Sequence, residues 1–180
     1  IEGLGPAQFA ERESVERLRS LTHGPDGAAA TPVVLDLKDP ACLIGRGVRW
    51  PEPVLPAGLG ESAGGGGGET GGPPVRRQGA SVVVLGGAPV LYASENLKVL
   101  ISYTSTREEL ARALTALAAD RQATFARQGA AAVRRRTVVE SLNGVTTLAP
   151  AVSDLLREAG FVRDPKGMRL AVGTSGATWR

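Results

Sequence analysis

The sequence predicts an α+β fold: an antiparallel, β-rich module with three short packing helices and a disordered Gly-rich insertion. Three observations carry this reading. The stretch Ala80–Tyr103, ASVVVLGGAPVLYASENLKVLISY, holds three apolar runs separated by turn residues. Three other segments repeat apolar residues at helical spacing. Nine glycines crowd the fifteen positions Gly58–Gly72.

The meander organises the rest. Its runs are Ser81–Leu85, Pro89–Ala93 and Leu97–Tyr103, rich in Val, Leu, Ile and Tyr. Gly86-Gly87 and Ser94-Glu95-Asn96 separate them, and Gly and Asn tolerate the positive φ of tight hairpins. Ahead of it, residues 1–9 read as a loop or strand end. Val15, Leu18 and Leu21 then mark a packing helix of about ten residues, with Glu13 four before Arg17. The cluster Gly24-Pro25-Asp26-Gly27 ends it. Thr31–Leu37 is a strand, and Asp39-Pro40 initiates a turn. Arg46, Arg49, Trp50 and the prolines Pro51, Pro53 and Pro56 make an ordered, non-repetitive loop.

After the meander, Thr106 and Glu109 have the spacing of a capping box. Leu110, Leu114 and Leu117 line a helix over Arg107–Ala119, which Arg121–Ala132 continues as far as a break near Gly129. Thr137–Leu142 is a strand, Asn143-Gly144 closes a two-residue hairpin, and Val145–Leu148 returns. Pro150 opens a helix striped by Val152, Leu155, Leu156 and Ala159, which Gly160 ends. Phe161–Val172, with its turn at Asp164–Gly167, is a closing hairpin. The chain divides as 1–56, the N-terminal part of the module; 57–74, a flexible insertion; 75–173, meander, helices and closing hairpin; and 174–180, a frayed tail.

Composition narrows the chemistry. A chain of 180 residues makes about one domain. It is 42% apolar but only 4% aromatic, which means an aliphatic core. The chain starts at Ile1, which predicts a piece of a longer polypeptide. One Cys and one His permit neither an internal disulfide nor a His-rich metal site, fitting a reducing cytoplasm. No apolar run approaches the roughly 18 residues that span a membrane. Residues 1–79 carry 8 basic and 10 acidic groups, and residues 80–180 carry 13 and 8, so the basic excess lies in the second half. Arginines outnumber lysines 18 to 3. A GC-rich genome explains that bias, and phosphate binding is its functional alternative.

Few residues suggest catalysis. The Gly-rich run lacks the Lys-Ser/Thr pair of a phosphate-binding loop. His23 and Cys42 stand in no nucleophile signature, Cys42 reading as a small hydrophobe. Glu140 reads as an exposed strand position. Asp36 and Asp39 have no third ligand nearby, so no metal site is expected. Arg134, Arg135 and Arg136, with Arg76, Arg77 and Lys98 alongside, are the candidate nucleic-acid contacts, a solvated strand end being the plainer reading of the run. No stacking aromatics interleave these arginines, which argues against a single-strand platform.

Several stretches, in order, resemble the C-terminal end of the bacterial large helicase-related (Lhr) family, in its long actinobacterial form. They are EGLGPAQFA with the following Val15–Arg19, and VVLDLKDPACLIGRGVRWPEP, similar at Asp39, Pro40, Ala41, Gly45, Trp50 and Pro51. RRQGASVVVLGGAPVLY, RRTVVESLNG and LLREAGFVRDPKGMRL follow. The resemblance implies a parent ATP-dependent superfamily 2 DNA helicase that translocates 3′ to 5′ and serves DNA repair. Its motor, with ATP and Mg, would lie upstream with winged-helix domains, and no Walker A or DEAH-type motif occurs here. The resemblance also implies that this chain is mostly a final, β-rich, barrel-like module, contributing DNA binding or assembly on single-stranded or damaged DNA. The family's C-terminal region also resembles DNA glycosylases that excise uracil. Asp39 is the one residue offered for test as a glycosylase aspartate. A free-standing interaction domain is the remaining alternative.

Overall fold

The computed structural model describes residues 11–22, 30–60, 73–128 and 137–171. Helix α1 (Arg12–Thr22) is the first described element, followed by β1 (Val33–Asp36). The meander is β2 (Ser81–Leu85), β3 (Ala88–Ala93) and β4 (Val99–Ser102). Helix α2 (Arg107–Gln128) comes next. Three two-residue strands follow: β5 (Val138–Val139), β6 (Ser141–Leu142) and β7 (Val145–Thr146). Helix α3 (Pro150–Glu158) and the hairpin β8 (Phe161–Asp164)–β9 (Gly167–Leu170) complete the described chain.

The main sheet has the order β1-β2-β3-β4-β6-β7, and a smaller one has β5-β9-β8. All pairings are antiparallel except β4 with β6. Turn chemistry fixes the hairpins. Gly86 and Gly87 have φ of 58° and 88°, and Asn143 and Gly144 have 46° and 80°, the double positive φ of a type I′ turn. In β3, Leu91 opposes Val83 while Pro89 opposes Val84, so Val90 is a bulge residue.

The main sheet is covered on both faces. Val83, Leu85, Leu91, Leu100 and Leu142 pack with Leu110, Leu114 and Leu117 of α2 and Leu155 and Leu156 of α3 in one buried cluster. Each such leucine contributes roughly 1.5–3 kcal/mol by leaving water. Val82, Tyr92 and Ile101 point the other way, onto Leu37, Cys42 and Ile44 of the loop after β1. That loop, not a helix, roofs the second face.

Four expectations need correction. The sheet is open rather than barrel-like, because among the described residues β1 and β7 are its two ends. Helix α2 is not short: its 22 residues run to Gln128, as the expected continuation into the Ala- and Gln-rich segment has it, and Gly129 lies outside the described residues. The expected strand Thr137–Leu142 is two strands, one in each sheet, divided at Glu140. Glu109 does reach back at the start of α2, but its Oε2 accepts the Thr104 hydroxyl. The Gly-rich stretch 61–72 and the tail lie outside the described residues.

Candidate nucleic-acid interface

The loop between β1 and the Pro-rich segment is held by a dense set of hydrogen bonds. It begins with two Asx turns. Asp36 Oδ1 accepts Lys38 N–H at 2.7 Å and Asp39 Oδ1 accepts Ala41 N–H at 2.8 Å. Asp36 Oδ2 also accepts Gly79 N–H at 3.1 Å, tying the loop to the entry of β2. The backbone then folds on itself. Leu43 C=O accepts the N–H groups of Arg46, Gly47 and Val48 at 2.8–3.0 Å, and Gly45 N–H donates to Val48 C=O at 2.7 Å.

Arg76 locks this turn from outside. Its Nη1 donates to Cys42 C=O at 3.0 Å and to Ile44 C=O at 2.6 Å. Trp50 braces it from below. The indole stacks on Tyr103, with centroids 5.5 Å apart and planes at 24°, and meets Tyr92 at 80°. Both tyrosines of the chain and one of its two tryptophans therefore share one cluster. The backbone explains the placement: Val54 N–H donates to Ser102 C=O at 2.9 Å, which lays residues 50–54 along the end of β4. Gly45, at φ 72°, has no room for a side chain, because a Cβ there would lie 2.6 Å from Trp50 Nε1.

Tyr103 is the unusual titratable group. Burial, then the neighbouring Tyr92, raises its phenol above the ordinary value of 10.0. Its buried hydroxyl has no hydrogen-bond partner among the described residues. Leu43, Arg46, Val48 and Arg49 form the exposed rim. Neither Arg46 nor Arg49 takes part in an ion pair with a described residue.

The sequence candidates fall in different places. Arg76 is half-buried and engaged with two carbonyls. Arg77 is exposed and lies 3.7 Å from Glu95. Arg134, Arg135 and Arg136 lie outside the described residues, as does His23. Asp39 is exposed, with its Oδ1 engaged in the Asx turn. Cys42 is buried. Glu140 pairs with Lys98 at 3.1 Å. Sequence reasoning missed the Trp50–Tyr103–Tyr92 cluster. Its signal was Trp50 standing directly after Arg49, but the tyrosines that complete it lie on strands far along the chain.

Two cavities lie elsewhere. One, of about 340 Å³, is lined by Asn96, Lys98, Glu140, Asp164 and Lys166. The other, of about 320 Å³, holds Asp36, Gln78, Ser81, Asp120 and Arg121. Burial lowers the Arg121 guanidinium from its ordinary value, with Asp120 and Asp36 opposing the shift. Its Nη2 bonds Gly79 C=O at 2.7 Å and also the Ser81 hydroxyl. Among the described residues no group of three or more His, Cys, Asp or Glu could hold a metal ion. Among the described helices none is long and apolar enough to cross a membrane.

Fold and surface together define an α+β module built round a braced, cation-rimmed loop. No family model matches the chain. It is 35% identical over 177 residues to the Lhr helicase/uracil glycosylase of Escherichia coli K12, covering 93% of this chain and 10% of that protein. It is 29% identical over 182 residues to the Lhr helicase/probable uracil glycosylase of Mycolicibacterium smegmatis, covering 94% and 10%. The chain is thus Lhr-related over nearly all its length, as its ordered motifs indicate, and it spans about a tenth of the length of these relatives.

Proposed function

We propose that the chain is a C-terminal, non-motor module of an Lhr-type DNA helicase, acting in DNA binding during cytoplasmic DNA repair. The near-full-length relation to two proteins named as Lhr helicases carries this reading. The parent's upstream motor would hold ATP and Mg, and the module would pack with its winged-helix neighbours. Arg77 and Arg134–Arg136 would meet phosphates, and Arg76 would serve by fixing the loop after β1. The test is titration of the chain with labelled DNA at several salt concentrations. Phosphate contacts require affinity to fall as salt rises, by a logarithmic slope of about 0.7 per contact on a single strand. Binding that ignores salt, or no binding, refutes the reading for this chain.

A second reading is favoured by one observation: both relatives carry uracil glycosylase in their names. On this reading Asp39, exposed and beside the braced loop, is the residue to test. Excision of uracil from labelled DNA by the chain, abolished in Asp39→Ala, would support it. No excision by the unaltered chain would refute it for this chain.

A further inference from the structure

The rim of the braced loop sets two exposed aliphatic side chains and two exposed arginines on one turn. Leu43 and Val48 are 44% and 40% exposed. Arg46 and Arg49 stand exposed beside them. Asp39 and Glu52 flank this segment, yet neither Arg46 nor Arg49 takes part in an ion pair with a described residue. The tip is also rigid. Three N–H groups converge on Leu43 C=O, Arg76 fixes the carbonyls on either side of it, and Trp50 closes against Gly45. A preorganised tip loses little conformational freedom when it binds.

We propose that residues 43–50 are a single-strand DNA contact, with Arg46 and Arg49 on backbone phosphates and Leu43 and Val48 against unpaired bases. This rests on the DNA-binding reading and names a surface for it that the basic runs did not include. The choice of strand follows from chemistry. The outside of a duplex offers phosphates and sugars, and its base faces are stacked away from a protruding side chain. An unpaired base presents an apolar face of a size to cover Leu43 and Val48 while its flanking phosphates reach the arginines. Arg46 stands at the tip of the tight turn and Arg49 just past it, three residues apart in sequence, so both act on one strand.

The experiment is fluorescence anisotropy of the full 180-residue chain with a labelled oligothymidylate and with a duplex of equal length, over a salt series. Four variants accompany it: Arg46→Ser/Arg49→Ser, Arg46→Lys/Arg49→Lys, Leu43→Ser/Val48→Ser, and Arg163→Ser on β8 as a distant control. The expected result is preference for the single strand. The Arg→Ser pair weakens it about tenfold and flattens the salt slope by about 1.4, two contacts at about 0.7 each. The Arg→Lys pair retains the slope. The Leu/Val pair weakens binding about tenfold at unchanged slope, because its contribution is not ionic. Arg163→Ser matches the parent. Loop variants that bind like the parent overturn this inference and leave the DNA-binding reading standing. Tighter binding to the duplex overturns it too. No DNA binding by the parent chain overturns that reading and this inference with it. All five positions are exposed, and melting temperatures within a few degrees of the parent establish that each variant is folded.

Discussion

Replacing Arg76 with methionine separates a bracing role from a phosphate-binding one. Methionine keeps much of the aliphatic stem that lies against Gly45 and removes only the guanidinium. Two carbonyls, Cys42 and Ile44, then lose a charged donor at 3.0 and 2.6 Å. A hydrogen bond to a charged group contributes about 1.5–3 kcal/mol, but one nitrogen serves both acceptors and the site is half-buried. A net loss of about 2–3 kcal/mol follows. For a domain of this size each kcal/mol lowers the melting temperature by about 2–4 °C, so a fall of about 4–12 °C is expected in a calorimetric or circular-dichroism melt. The near-ultraviolet signal of Trp50 should weaken with it, since the loop no longer holds its stack. A melt within 1–2 °C of the parent would refute the bracing role. If that variant also lost one phosphate's worth of salt slope, Arg76 would have to be reassigned as a direct DNA contact.

Three further changes test the frame. In Gly167→Ala the new Cβ would lie 2.1 Å from Val139 C=O and 2.9 Å from Thr147 Oγ1, which donates to that same carbonyl. Overpacking and a disturbed hydrogen bond together should cost about 2–5 kcal/mol, read as a lower urea midpoint, and an unchanged midpoint would contradict the register of β5 on β9. Tyr103→Phe removes a buried hydroxyl without a described partner, so it should not destabilise and should raise stability by up to about 1 kcal/mol. The same change tests a pH effect. The folded phenol titrates above its unfolded value of 10.0, so the unfolded chain loses that proton first; stability is full below that pH and falls above it. The parent should therefore lose more melting temperature than Tyr103→Phe between pH 9 and pH 11, and equal losses would refute the assignment. Asn143 accepts Ser102 N–H at 2.6 Å and donates to Ser102 C=O at 3.2 Å, acting as an extra strand residue beside β4. Asn143→Ala should cost about 2–4 kcal/mol in urea unfolding, and Asn143→Gly about 1 kcal/mol less, because glycine keeps the 46° φ.

Local signals made the hairpins legible. Gly86-Gly87 and Asn143-Gly144 demand positive φ, and each sits at the turn the sequence predicts. Helix α3 was equally readable, from Pro150 at its start to Gly160 at φ 90° beyond its end. The split at Glu140 was not, because a continuous apolar run does not state which neighbour each half pairs with. Openness of the sheet was hidden for the same reason, being a property of pairing rather than of any segment. The site was the least legible part. Arg76 looks like any surface arginine until Cys42 and Ile44 are brought beneath it from 34 and 32 residues away. Trp50, Tyr92 and Tyr103 come from a loop and two strands, and only tertiary packing makes them a unit.

The shared backbone at Glu140 has a consequence for how the module comes apart. Glu140 N–H donates to Lys98 C=O at 2.8 Å, and its own C=O accepts Thr147 N–H at 3.1 Å, while Val139 beside it is paired into the smaller sheet. One peptide segment is thus a rung of both ladders. Neither sheet can exchange its amide protons by opening alone without breaking bonds that anchor the other. The amides of Leu100, Val139 and Met168 should then exchange with deuterium at one common free energy, that of global unfolding. A pulling force transmitted from neighbouring segments of a parent chain would meet one mechanical unit, and the two sheets would yield together.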